Sequence, residues 1–304
     1  MKKFHGLIVP IFTPVDEWGN LDRKAFIRHA QDLIKRGADG LYVTGTTGEA
    51  SQLKIETWRE VNRLAIELFR GTDTDVYSGA VFPGTLETIE RIEELEKMGA
   101  KTVFCTPTFY NTDGSQEQII RHYEKICSST DLQIVIYSIS FTTHVDICPE
   151  TLKILAGFQN IIGVKDTRSD WGTHVENIHV LKNTKVGIAC VPEPMIAASL
   201  MLGADGIVTA LGNFMPEYYA QILNTTREND WPSTLKVFDS IMKLDNILRC
   251  EGANGVAKLK YLASLLGICQ PYTSMSTMNV TAAQKQQMEK AAQWIRCERE
   301  RMEK

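Results

Sequence analysis

Short apolar runs rich in β-branched and aromatic residues recur along the chain, and each is followed by a stretch whose apolar residues return at helical spacing. Eight runs read as strands: 7–12 (LIVPIF), 40–44 (GLYVT), 75–80 (DVYSGA), 102–105 (TVFC), 133–137 (QIVIY), 161–164 (IIGV), 186–189 (VGIA) and 206–209 (GIVT). Between them the pattern predicts helices near 22–36, 54–70, 85–98, 115–127, 149–157, 170–182, 193–202 and 215–227. The runs are brief and uninterrupted rather than alternating, as in parallel sheets covered on both faces. Eight alternating units in about 225 residues predict an α/β fold, a (β/α)8 TIM barrel. An open doubly wound sheet is the runner-up. It calls for a phosphate-binding G-x-G-x-x-G after the first strand, and none is present.

One local pattern supports the repeat. Lys35-Arg36-Gly37-Ala38, Lys97-Met98-Gly99-Ala100 and Met201-Leu202-Gly203-Ala204 each follow a helical stretch and precede a β-rich run. Glycine there supplies the left-handed residue that closes a helix. After about residue 230 the strand signal stops. Trp231-Pro232-Ser233 reads as a helix start, and helices are predicted at 233–249, 254–267 and 281–302, punctuated by Gly267 and Pro271. The expected organisation is a barrel over 1–229 that carries the chemistry and a helical extension over 230–304.

Composition narrows the class without fixing it. The 304 residues are 43% hydrophobic and 23% charged, ordinary for a soluble globular protein. A net charge of −4 offers no field for a phosphate backbone, so nucleic acid is not expected as a partner. No stretch of about eighteen apolar residues predicts a membrane span. Met1-Lys2-Lys3-Phe4-His5 runs straight into a strand and does not read as a signal peptide. The seven cysteines (105, 127, 148, 190, 250, 269 and 297) form no C-x-x-C and have no histidine at metal spacing. That dispersal suggests reduced thiols and a cytoplasmic location.

In a barrel of this kind, working groups sit where strands end and βα loops begin. Lys165 ends the apolar run Ile161-Ile162-Gly163-Val164. Lysine is rarely buried unless paired, and in an apolar site it can lose its proton and attack a carbonyl. The plainer reading is a stem lying along the rim with its head in solvent. Tyr137 closes the preceding strand, where a phenol can relay a proton; a core tyrosine with a satisfied hydroxyl is the alternative. The second strand ends in Thr44-Gly45-Thr46-Thr47-Gly48-Glu49, whose amides and hydroxyls could cradle a carboxylate or form an ordinary turn. The fourth ends in Thr106-Pro107-Thr108-Phe109-Tyr110-Asn111, whose aromatics read first as packing. Jointly, a tyrosine and a lysine at matching ends of consecutive strands make a stronger pattern than either alone.

Gly45-Thr46-Thr47-Gly48-Glu49, then Tyr137, then Gly163-Val164-Lys165 resembles the dihydrodipicolinate synthase / N-acetylneuraminate lyase family, over a span from about Gly6 to Ile268. The resemblance implies a (β/α)8 barrel with a helical C-terminal part, usually assembled as a tetramer of tight dimers. It also implies a metal-free class I enzyme that binds pyruvate or another 2-oxo acid as a lysine imine, with no cofactor. Lys165 is then the imine lysine and Tyr137 the proton relay. Thr46 bridges Tyr137 to a second tyrosine, for which Tyr110 is the candidate and Phe109 the alternative. Thr47 holds the 2-oxo acid carboxylate, and Gly48, Thr167, Glu193 and Val208 complete the expected substrate-binding set.

Two departures bear on substrate. Synthases of the family carry an arginine a few residues past the strand-five tyrosine to grip a second carboxylate. Here that stretch is Tyr137-Ser138-Ile139-Ser140-Phe141-Thr142-Thr143-His144, with Thr142 at the place. A hydroxyl cannot replace a bidentate guanidinium. Sugar-acid lyases of the family place hydroxyl-binding acids after the seventh strand, where this chain has Cys190-Val191-Pro192-Glu193-Pro194. Gly212-Asn213-Phe214-Met215-Pro216 resembles the family's 2-keto-3-deoxy-sugar-acid aldolases. His144, Arg168 and Trp171 could meet a substrate but read first as loop or packing residues. The expectation is an aldolase/lyase joining pyruvate to an aldehyde or cleaving a 2-oxo-3-deoxy or 4-hydroxy-2-oxo acid. A sugar-acid dehydratase, a dihydrodipicolinate synthase and a non-catalytic 2-oxo-acid sensor are the alternatives.

Overall fold

The computed structural model describes residues 4–249, 255–275 and 279–302. Met1–Lys3, Cys250 and the first residue of the helix expected at 254–267 therefore lie outside the described residues. Eight parallel strands close into one barrel in sequence order, with the first strand paired to both the second and the eighth. They are β1 (Gly6–Pro10), β2 (Gly40–Val43), β3 (Asp75–Ala80), β4 (Thr102–Cys105), β5 (Gln133–Ser138), β6 (Ile161–Asp166), β7 (Gly187–Cys190) and β8 (Gly206–Val208). The expected strands β3 and β4 coincide with the observed ones. β6 runs two residues further than expected, because Lys165 and Asp166 continue the ladder with β5 and β7.

The repeated glycine does the same work three times. Gly37, Gly99 and Gly203 adopt φ of 104°, 90° and 102°. In each case the next alanine's N–H reaches five residues back into the finished helix: Ala38 to Leu33, Ala100 to Leu95 and Ala204 to Ser199. This C-terminal cap turns the chain at once into a strand.

Side chains that alternate along the strands fill two separate layers. Ile8, Tyr42, Tyr77, Phe104, Val135, Tyr137, Ala189 and Val208 fill the barrel interior. Phe4 joins them, edge-on to Tyr77 and Phe104, with ring centroids 5.6 and 5.7 Å away. Gly163 makes room for it, since a Cβ there would lie 2.5 Å from Phe4 Cβ. The opposite parity, among them Val43, Val103, Ile134 and Val164, packs outward under the helices.

The expected helix at 193–202 is a 3-10 turn (Glu193–Met195) running into a short α-helix (Ile196–Met201). A one-turn helix, Ser140–Thr143, follows β5 where no element was expected. Beyond the barrel, helices Trp231–Leu248, Gly255–Leu265 and Ala282–Met302 form the C-terminal extension. The first begins earlier than expected because Asp230 caps it, accepting from the Ser233 N–H. Ile241, Leu244, Leu262, Met288 and Ile295 pack in one cluster with Ile196 and Tyr219 of the barrel helices. Among the described residues no helix is long and apolar enough to cross a membrane.

Candidate active site

Lys165 sits inside the C-terminal mouth of the barrel. It is a register partner of Tyr137 on β5 and of Ala189 on β7. Its side chain is buried, at 4% exposure. Its Nζ lies 3.8 Å from the centroid of the Tyr137 ring and 5.2 Å from that of Tyr42. Among the described residues no carboxylate pairs with it. Burial without a counter-charge pulls its pKa down to about 7. A substantial fraction is therefore neutral amine at ordinary pH, the form that attacks a carbonyl.

Tyr137 is also buried, and burial holds its pKa above the usual phenol value despite an opposing hydrogen bond to Thr46. That bond joins Thr46 Oγ1 to the Tyr137 hydroxyl at 3.0 Å. The phenol stays protonated and has a hydroxyl relay leading outward to the exposed Thr46.

The loop carrying Thr46 and Thr47 is fixed at both ends. Thr44 and Glu49 hold left-handed φ of 52° and 62°. Thr44 Oγ1 donates to the Gly79 carbonyl at 3.2 Å and accepts from the Gly79 N–H at 3.1 Å. The Gly48 carbonyl accepts from Thr13 Oγ1 at 2.8 Å. Glu49 and Lys260, both buried, form an ion pair behind the loop. Lys260 also donates to the Thr13 and Tyr272 carbonyls at 2.7 and 2.8 Å, and Glu49 accepts from the Ser274 N–H at 2.6 Å. The C-terminal extension is thus wired to the candidate carboxylate loop.

The residue after the lysine faces the other way. Asp166 is fully buried beneath the helices and accepts from His174 Nδ1 and Asn177 Nδ2, each at 2.9 Å, and from Arg168 Nε at 3.1 Å. Burial alone would raise its pKa, but the His174 bond and the Arg168 charge outweigh it and hold the carboxyl below its usual value. His174 continues through Nε2 to Ser199 Oγ at 2.8 Å. Sequence reasoning missed this network. Its only signal was an acid beside the lysine. Arg168 is neither a solvated loop residue nor free for substrate, because it also donates to the Ile147 carbonyl at 2.9 Å.

The remaining expected residues divide. Thr167 directs both its hydroxyl and its N–H to the Ser138 carbonyl, tying the ends of β5 and β6. It also lines a cleft of about 630 Å³ with Ser140, His144, Asp146, Arg168 and Asp170. Val208 belongs to the interior layer. Glu193 is half-buried in the loop after β7 and accepts from the Thr209 hydroxyl; removal of its carboxylate from water pushes its pKa up to about 7 against the opposing Thr209 bond. Tyr110 is not brought to Thr46 within this chain: it stands 96% exposed at φ 74°. Phe109 is half-buried and lines a separate apolar cavity with Trp58 and Phe82. His144 is exposed, and Trp171 leans on His174 with ring centroids 5.9 Å apart. Among the described residues no cluster of His, Cys, Asp and Glu could hold a metal ion, and the described cysteines are free.

Residues 3–295 match the model of the dihydrodipicolinate synthetase family. The chain is 29% identical over 273 residues to the 4-hydroxy-tetrahydrodipicolinate synthase of Phenylobacterium zucineum, covering 90% of each. It is equally similar, 29% over 271 residues, to the probable 2-dehydro-3-deoxy-D-pentonate aldolase YjhH of Escherichia coli, covering 88% of this chain and 89% of that one. The solved structure of YagE from E. coli, a family member in complex with pyruvate, superposes with a TM-score of 0.89 at 27% identity, covering 96% and 99% of the two chains.

Proposed function

This chain belongs to the dihydrodipicolinate synthetase family and is a lyase, and from that premise we propose that it is a class I aldolase whose Lys165 forms an imine with a 2-oxo acid. Pyruvate is the simplest such acid, and it is the ligand of the related YagE. The observation that carries the reading is Lys165 itself, a buried amine without a counter-charge, in van der Waals reach of a phenol that is hydrogen-bonded to a rim hydroxyl.

The chemistry follows from these groups. Neutral Lys165 adds to the C2 carbonyl, and the carbinolamine loses water with a proton supplied by Tyr137. Thr46 keeps the phenol oriented and links it to the mouth. The protonated imine nitrogen is then the electron sink that lets a C3 proton leave. The resulting enamine adds to an aldehyde, or the reverse steps cleave a 4-hydroxy-2-oxo or 2-oxo-3-deoxy acid. Thr47 and Gly48 hold the carboxylate. Glu193 and the polar cleft past Thr167 receive the hydroxyls of the other substrate.

That cleft favours a hydroxylated acceptor over a carboxylated one. Asp146 and Asp170 line it, and the charge of Arg168 is already spent on Asp166. A dihydrodipicolinate synthase is the second reading, supported by the synthase relatives. It lacks a free guanidinium in the loop after β5, where Thr142 is exposed on its one-turn helix. The bare Tyr110 side chain supports a homo-oligomer in which it completes a neighbour's site.

Borohydride reduction with pyruvate, followed by peptide mapping, tests the imine. An adduct on Lys165 is expected, and folded protein that traps no 2-oxo acid would leave the non-catalytic sensor in its place. A panel of sugar acids scored for pyruvate release against water loss then separates an aldolase from a dehydratase.

A further inference from the structure

The Tyr42 hydroxyl is buried and has no hydrogen-bond partner among the described residues. A buried phenol needs a partner, and none of the described protein groups supplies it here. Its position says what would. Tyr42 projects into the barrel from β2, with its ring stacked on Phe104 at 4.1 Å and edge-on to Tyr137 at 5.9 Å. Lys165 Nζ lies 5.2 Å from the ring centroid. The hydroxyl-bearing end points to the loop that opens with Gly45, where a Cβ would stand 2.4 Å from Tyr42 Cε1 and 2.7 Å from Cζ. Gly45 is therefore glycine because the tip of the phenol occupies the space of its side chain. The ring of Tyr42 thus touches the start of the loop that leads into Thr46–Gly48 and stands beside the imine lysine.

We infer that Tyr42 is a substrate-binding residue whose hydroxyl donates a hydrogen bond to the carboxylate of the 2-oxo acid held on Lys165. The inference rests on the imine reading above. The carboxylate is bonded to the carbon that Lys165 attacks, so it must lie within a bond length of that carbon and toward the cradle. A carboxylate also persists through addition, dehydration and enamine formation. Tyr42 thus stabilises every bound species alike and acts on binding rather than on the rate of a single step. Burial raises its pKa well above the ordinary phenol value and keeps the donor proton in place.

Tyr42→Phe tests this. The substitution removes an oxygen that bonds to none of the described protein groups, so the thermal midpoint of the ligand-free variant should fall little. Borohydride trapping is titrated with pyruvate and, in parallel, with methyl pyruvate, which keeps the ketone and lacks the carboxylate charge. A charge-assisted bond lost from the bound state should raise the half-saturating pyruvate concentration roughly 10- to 150-fold. Methyl pyruvate should shift by less than about threefold, and kcat at saturation should stay close to wild type. Unchanged pyruvate titration overturns the assignment. So does an equal loss with both probes, which would make Tyr42 a packing partner of Lys165. Wild-type protein that traps neither probe would instead overturn the imine reading, and this assignment with it.

Discussion

Lys165 Nζ lies 3.8 Å from the centre of the Tyr137 ring, and the two residues are register partners on adjacent strands. The contact is set by backbone hydrogen bonding rather than by flexible loops, so amine and phenol are held together before substrate arrives. Preorganisation of this kind gives a nucleophile and a proton donor their effective concentration. Lys165→Ala should abolish the reduced pyruvyl adduct while leaving the fold intact, as judged by circular dichroism. An adduct that persists on another lysine would move the nucleophile.

Tyr137→Phe should separate the proton relay from packing. The ring contacts with Tyr42 and Phe104 survive, while the bond to Thr46 is lost. Turnover should fall roughly 10²–10⁴-fold. Single-turnover kinetics should show the loss in imine formation as well as in the carbon–carbon step. A rate within about twofold of wild type would make Tyr137 a core residue only.

Lys165 loses its proton near pH 7 because burial penalises the charged form. Only the neutral amine attacks, so the rate of imine formation should climb about tenfold per unit below that pH and level off above it. The sign is fixed: acid inhibits. An inflection near that of ordinary lysine, around 10.4, would show that the amine is hydrated rather than desolvated.

Lys165 and Tyr137 were legible because each ends an apolar run with a polar group, which in a barrel marks the catalytic rim. The glycine–alanine echo was legible because one capping geometry recurs at Gly37, Gly99 and Gly203. The end of β6 was less so, since Lys165 and Asp166 look like loop residues until the neighbouring strands pair with them. The bonds among Asp166, His174 and Ser199 were not legible at all. They depend on how two helices dock against β6, which spacing along the chain does not encode. Tyr42 was hidden by its own strand, where an aromatic residue reads as core whether or not its hydroxyl is satisfied.

Glu49 and Lys260 illustrate the same limit between distant parts of the chain. Lys260 lies in the C-terminal extension, yet its partner lies in the loop after β2. Lys260→Met leaves a buried carboxylate uncompensated and should destabilise the protein by about 3–5 kcal/mol in denaturant unfolding. Adding Glu49→Gln should recover part of that loss, because the stranded charge is gone. Equal losses in the single and double variants would show that the bonds to Thr13 and Tyr272, rather than the ion pair, carry the effect.

Thr142 is the place to test what selects the second substrate. It is exposed on the one-turn helix Ser140–Thr143, whose neighbours Ser140, Phe141 and His144 line the cleft past Thr167. No guanidinium in this cleft is free, since Arg168 is paired with Asp166 at 3.1 Å. Thr142→Arg supplies one. A planar donor fork recognises a carboxylate in a way that a hydroxyl does not. The variant should gain about tenfold in kcat/KM for an aldehyde bearing a carboxylate, relative to its neutral analogue. Asp146 and Asp170 oppose that gain by pairing with the new arginine, so Asp146→Asn in the same background should enlarge it. If neither variant changes the ratio between the two acceptors, the loop after β5 does not contact the second substrate, and selection falls to Glu193 on the opposite side of Lys165.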